Sequence, residues 1–214
     1  MSQVHFRSRE TCPLFGPANI PAGGTRPRGQ APRPGQRGAA RLAETRARGS
    51  APLDCGRGPR YSRAMIERQH QKGDAPSTAL YSRCERYRYL LTRTWDEDGA
   101  RALFVMLNPS TATEIQNDPT VERCERRARA LGFGAFRVTN IFAWRATDPR
   151  ALRQVADPVG PGNDAAITRS AGDWIRPGTG DRILCAWGTH GALQNRGPAV
   201  ADLLRQTGQP LWHL

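Results

Sequence analysis

The chain has 214 residues, enough for one domain of ordinary size with a sizeable core. Its 32 basic residues against 19 acidic ones give a formal net charge of +13; Lys72 is the only lysine, an arginine bias that fits a GC-rich coding sequence better than selection for arginine chemistry. No apolar run is long enough to span a membrane. The five cysteines, at wide and irregular spacing, make neither a disulfide framework nor a C-x-x-C metal site, so a reduced cytoplasmic protein without metal or cofactor is the simplest expectation.

The charge is unevenly spread. Residues 1–64 hold 12 arginines against Glu10, Glu44 and Asp54, whereas the remainder carries a net charge of only +4. Proline and glycine interrupt almost every possible element in this tail, which reads as disordered. It is either an arm that neutralises nucleic-acid phosphates or, the simpler expectation, upstream sequence before a true start at Met65. The predicted domain is then 65–214.

Within it, 75–82 reads as a connector. Tyr87 to Arg93 alternates as an edge strand, and Asp96-Glu97-Asp98-Gly99 turns the chain back into the apolar run 102–107, which predicts a β-hairpin. That run ends in Asn108-Pro109 and a loop containing Ser110, Thr111 and Thr113. At Asp118-Pro119-Thr120 a capped helix starts, with Val121, Cys124, Ala128 and Leu131 at helical spacing and Gly132 closing it. The arginines on its other face, from Arg123 to Arg129, read as a solvated surface or as phosphate contacts.

A second strand, 135–142, carries Asn140 at its end. A helix between neighbouring strands implies a right-handed parallel crossover, so Asn108 and Asn140 belong to one edge of the sheet. Either they face a common crevice or their amides only tie down loops. Asp148 or Thr147 caps a short helix, and Asn163 or Asp164 caps the next, toward Trp174. A third strand, 182–188, ends in Trp187-Gly188 ahead of His190. Helix 200–204 and a final strand at 211–214 follow. The expected fold is a three-layer α/β/α sandwich with a mostly parallel central sheet and an antiparallel edge hairpin.

The strand ends supply the candidate site. Pro109, Ser110, Thr111 and Thr120 come from the first loop and its helix start, and Asn140 from the second strand. Trp187, Gly188 and His190 come from the third. Asp118 is the nearest carboxylate, readable as a general base and better as a helix cap.

The ordered motifs MLNPSTA, NDPT-x-x-R-C, TNIFAWRATDP, DPVGPGND and AWGTHG resemble the bacterial and phage family catalogued as domain of unknown function 1643, from about Tyr81 to Leu214. The family pattern runs on into a Gly…Pro-x-His-Pro segment, which implies a chain truncated at its C-terminal end. Leu107-Asn108-Pro109-Ser110 is also similar to the Ile-Asn-Pro-Gly motif of mismatch-specific uracil/thymine DNA glycosylases. Thr139-Asn140-Ile141 with Arg145 and Asp148-Pro149 is similar to a stretch of the iron–sulfur uracil glycosylases, although the four cluster cysteines are missing.

This likeness implies hydrolysis of an N-glycosidic bond in DNA or a nucleotide. Asn108 would position water, the N–H groups around Ser110 and Thr111 would bind a base carbonyl, Asn140 would read a base edge, and Arg145 would hold a phosphate. The alternatives are a nucleotide- or nucleic-acid-binding module without chemistry and a small-metabolite site.

Overall fold

The structure, a computed structural model, describes residues 65–213. The arginine-rich tail 1–64, expected to be disordered, lies outside the described residues. Strands β1 (Met65–Lys72) and β2 (Ala75–Ser82) form an antiparallel hairpin across Gly73-Asp74, with Lys72 opposite Ala75. Gly73 adopts a φ of +61°, the left-handed conformation that such two-residue turns require. A connector was the expectation for 75–82. The strand forms because Ala75, Ser77, Ala79 and Tyr81, spaced by two, all bury on one face.

Strands β3 (Arg88–Thr94) and β4 (Ala100–Met106) do not make the expected hairpin. Strand β5 (Phe133–Asn140) lies between them, antiparallel to β3 and parallel to β4. The cause is the connection after β3. The N–H groups of Trp95 and Asp96 both donate to the Gly134 carbonyl at 2.9 Å, which carries the chain across the start of β5. The crossing admits no side chain: a Cβ on Gly134 would lie 2.3 Å from the Asp96 carbonyl oxygen, and one on Gly99 2.7 Å from the Gly134 Cα. Nor is β3 an edge strand, because β2 pairs with its other side.

Helix α1 (Pro119–Ala130) joins β4 to β5. Asp118 caps it, accepting from the N–H groups of Thr120 at 3.0 Å and Val121 at 2.8 Å, and Gly132, with a φ of +76°, ends it as expected. Val121 and Ala128 pack with Phe104, Phe136 and Val138, whereas Leu103 and Val105 of β4 join Ile167 of α2 (Asn163–Arg169) and Val200 and Leu204 of α3 (Arg196–Arg205). Successive β4 side chains thus enter different cores, as the two-residue period of a strand demands. The expected capping of α2 by Asn163 or Asp164 is not seen. Gly162 is its N-cap, and Asn163 turns its Nδ2 to the carbonyls of Asn140 at 2.8 Å and Ile141 at 3.0 Å.

Strand β6 (Arg182–Ala186) pairs parallel to β4, and β7 (Leu211–His213) pairs parallel to β6. The sheet runs β1-β2-β3-β5-β4-β6-β7. It is mixed rather than mostly parallel, because β2 and β3 extend the parallel half with antiparallel ladders. Among the described residues no helix is long and apolar enough to cross a membrane.

Asp181 fastens the opposite edge of the parallel half. Its side chain is fully buried and accepts from the N–H of Arg101 at 2.9 Å and of Arg176 at 2.8 Å, with the Arg176 guanidinium alongside. Burial alone would raise its pKa, but the hydrogen bonds from Arg176 and these N–H groups hold it below the usual carboxylate value. A depressed folded pKa contributes stability above the unfolded value, about 3.9, that is lost as pH falls through the folded one. In chemical-denaturation series from pH 7 to pH 2, Asp181→Asn is expected to be less stable at pH 7 by about 2 kcal/mol. Its acid limb should be shallower than that of the parent.

Candidate functional site

Three strand ends stop level with one another. Met106 of β4 stands opposite Asn140 of β5 on one side and Ala186 of β6 on the other. The loop after β4 leads to α1, whereas the loops after β5 and β6 lead to α2 and α3. Chains leaving a parallel sheet toward different cores open a crevice at that edge, the usual ligand position in such folds.

The loop 107–118 above this edge is held by side chains from β2 and β3. Arg93, fully buried, donates to the Thr113 carbonyl at 2.6 Å, to Asn117 Oδ1 at 3.1 Å and to the Ser77 hydroxyl. Ser77 passes its own proton to the Glu114 carbonyl at 2.5 Å, and the Tyr81 hydroxyl donates to the Glu114 carboxylate at 2.8 Å. Burial and that carboxylate push the Tyr81 phenol up to about 12. Arg88 is buried too and donates to the Ala112 carbonyl at 2.7 Å. It reaches the loop because the register with β2 slips by one residue at Tyr89: Leu80 faces Leu90, but Tyr81 faces Arg88. Such a bulge re-aims one side chain, here onto the face of Arg93. Burial brings the Arg88 guanidinium down to about 10. An edge strand was the expectation for this segment; both arginines are instead interior anchors.

Asn108 is also tied down. Its Nδ2 donates to the carbonyls of Pro109 at 3.0 Å and Ala146 at 2.8 Å, and the Ala146 N–H returns to the Pro109 carbonyl at 2.9 Å. With both amide protons spent on the backbone, the orientation of the side chain is fixed and Oδ1 is left as the acceptor. Asn140 differs. It is 1 % exposed, and neither its Oδ1 nor its Nδ2 has a hydrogen-bond partner. A buried amide in that condition costs about 1–3 kcal/mol per group, so it is an unusual thing for a fold to keep.

The other predicted residues divide. Asp118 is engaged in the cap of α1, and Thr120 is exposed on its first turn. Pro109 is buried, Ser110 half-buried and Thr111 exposed on the loop. Arg145 turns back toward the β2–β3 connection, 5.3 Å above the Tyr81 ring and 3.3 Å from the Glu85 carbonyl. Trp187 is gripped by the backbone beyond it: a Cβ on Gly191 would lie 2.3 Å from its Cδ1, and one on Gly197 2.8 Å from its Nε1. Gly188, with a φ of +62°, turns the chain away, and exposed His190 lines a cavity shared with the 149–154 turn. Of the α1 arginines, Arg129 pairs with Asp74 and Glu125 and stacks 4.1 Å over Trp95.

The interior anchors Ser77, Tyr81, Arg88, Arg93 and Glu114 escaped sequence reasoning. The one available signal was two arginines inside an otherwise apolar strand. Among the described residues, no group of three or more His, Cys, Asp or Glu is placed to hold a metal. Burial pushes the Cys124 and Cys185 thiols up to about 12, which leaves neither as a thiolate nucleophile near neutrality.

The fixed orientation of Asn108 generates a direct test. An aspartate cannot donate to the Pro109 and Ala146 carbonyls and would set a negative charge against both. Asn108→Asp is expected to lower stability in urea unfolding by about 2 kcal/mol, at least as much as Asn108→Ala.

No curated protein and no solved structure matches the chain. A family does match, over residues 88–214, from the start of β3 through β7. That span is more than half of the chain, and the protein therefore belongs to the family described as "Protein of unknown function (DUF1643)".

Proposed function

We propose that the carboxyl edge of β4 and β5 is a nucleobase-binding site of the uracil-DNA glycosylase-like type, on an α/β/α sandwich whose two cores flank the sheet. The observation that carries this reading is Asn140. An amide offers one donor and one acceptor side by side, which is the pattern of a base edge, and in the free protein nothing within the fold uses either. Asn140 is covered in the free protein, so a ligand reaches it only on local opening of this edge, and a base reaches it only when flipped out of a duplex or supplied free.

The chemistry that fits is hydrolysis of an N-glycosidic bond. Asn108 Oδ1 accepts a hydrogen bond from a water molecule and aims its oxygen at the anomeric carbon. The C–O bond forms as the C–N bond breaks, the base leaves with the bonding pair, and the proton released by the water neutralises it. A neutral amide orients water but does not take its proton, so turnover is slow.

A second reading, binding without hydrolysis, is favoured by Asp118, the candidate general base, being occupied by its capping bonds. Incubation with uracil-containing and mismatched DNA, followed by alkaline cleavage at abasic sites, separates the two. Cleavage that Asn108→Ala abolishes establishes the hydrolase. Saturable binding of uracil or deoxyuridine without abasic sites establishes the binding module, and absence of both sinks the nucleobase reading.

Asn140→Leu adds a readout of its own. Replacing an unpaired buried amide by an apolar group of similar size is expected to raise stability by about 1–2 kcal/mol while ligand binding is lost. A variant that is both less stable and still able to bind would contradict the role given to Asn140.

A further inference from the structure

A second feature of the same edge is independent of Asn140. Between the turn 149–153 and the segment 189–195 lies a cavity of about 340 Å³ whose ionisable lining groups, among the described residues, are Arg150, Arg153 and His190. The turn is a 3-10 helix, in which side chains three apart eclipse. Arg150 and Arg153 therefore form one ridge, and Pro149 and Leu152 a second beside it. Leu152 is buried and forms an apolar floor with Leu193, whereas both arginines are exposed at the rim.

Many arginines of this domain are already committed. Arg93 is bonded to the 107–118 loop, while Arg129, Arg176 and Arg196 sit in ion pairs. Neither Arg150 nor Arg153 is paired with a carboxylate among the described residues. The adjacent Asp148 caps the turn through the Arg150 N–H at 2.9 Å. The cavity thus combines two uncommitted guanidinium groups, an imidazole and an apolar base, with no acid among its lining residues. Guanidinium forks match phosphate oxygens in pairs, and the leucine floor suits an organic group rather than a bare hydrated ion.

We infer that this cavity binds a phosphate ester, with the phosphate oxygens on Arg150 and Arg153 and the organic part over Leu152 and Leu193. The assignment does not rest on the nucleobase reading, and the experiment keeps the two apart. Titration calorimetry on the full chain uses phenyl phosphate, phenol and inorganic phosphate as probes, against the parent, Arg150→Gln/Arg153→Gln and Asn140→Ala. Both arginines are exposed, so their replacement leaves the fold intact, which circular dichroism checks.

The expected result is that phenyl phosphate binds the parent at least about tenfold more tightly than either phenol or inorganic phosphate, and that the double variant loses this preference. Raised salt should weaken it in the parent alone. Asn140→Ala should retain it, and should do so even where no nucleobase binds. Equal affinity for phenyl phosphate and phenol, or a preference that survives the double variant, overturns the assignment. Deoxyuridine 5′-monophosphate and a thymidine trinucleotide then distinguish a free nucleotide from a nucleic-acid strand as the source of the ester. Arginine-dependent binding of either supports the inference, and failure of both overturns it.

Discussion

Arg93 makes the interaction on which the carboxyl edge of the sheet depends. Fully buried, it gathers the Thr113 carbonyl, the Asn117 side chain and the Ser77 hydroxyl around one guanidinium and so converts the otherwise irregular connection 107–118 into a defined roof. Carrying a charge inward is costly, and burial does lower the Arg93 pKa despite neighbouring carboxylates. A single planar group with five donors nevertheless satisfies a loop carbonyl, a loop side chain and a strand hydroxyl at once, which no apolar side chain could. Arg88 repeats the device one bulge away.

The consequence is an edge with two tempers. Asn108 and the 144–148 segment are mutually hydrogen-bonded, and the Cδ1–Nε1 edge of Trp187 lies close against Gly191 and Gly197. Asn140, by contrast, is buried with the bonding capacity of its side chain unused by the fold. Folds satisfy most buried polar groups, and the exceptions cluster where a ligand completes the set. The free-energy cost of that amide is carried by the rest of the sheet, whose two hydrophobic cores meet across β4.

Much of the parallel half was legible because its signals are local. Asp118, Pro119 and Gly132 mark the ends of α1, and the apolar runs that become β4, β5 and β6 leave few alternatives. A helix between two strands then fixes their relative direction, so the common edge of Asn108 and Asn140 follows from handedness alone. What failed was long-range. Nothing in Asp96-Glu97-Asp98-Gly99 announces that the chain will cross Gly134 instead of turning back, since the partner lies some 35 residues on. The same limit hid the anchors: whether an arginine in a strand faces water depends on what pairs outside it. Here β1 and β2, together with a one-residue slip at Tyr89, turned an expected edge into an interior.

The hairpin outside the family match gives the boundary of the domain a different meaning. The matched span opens at Arg88, yet Ser77 and Tyr81, which grip Glu114 from β2, stand before it, and Ala79 and Tyr81 share a core with Phe104 and α1. The matched span is therefore shorter than what must fold together. A fragment cut at the first matched residue would keep every matched motif and lose the clamp that shapes them.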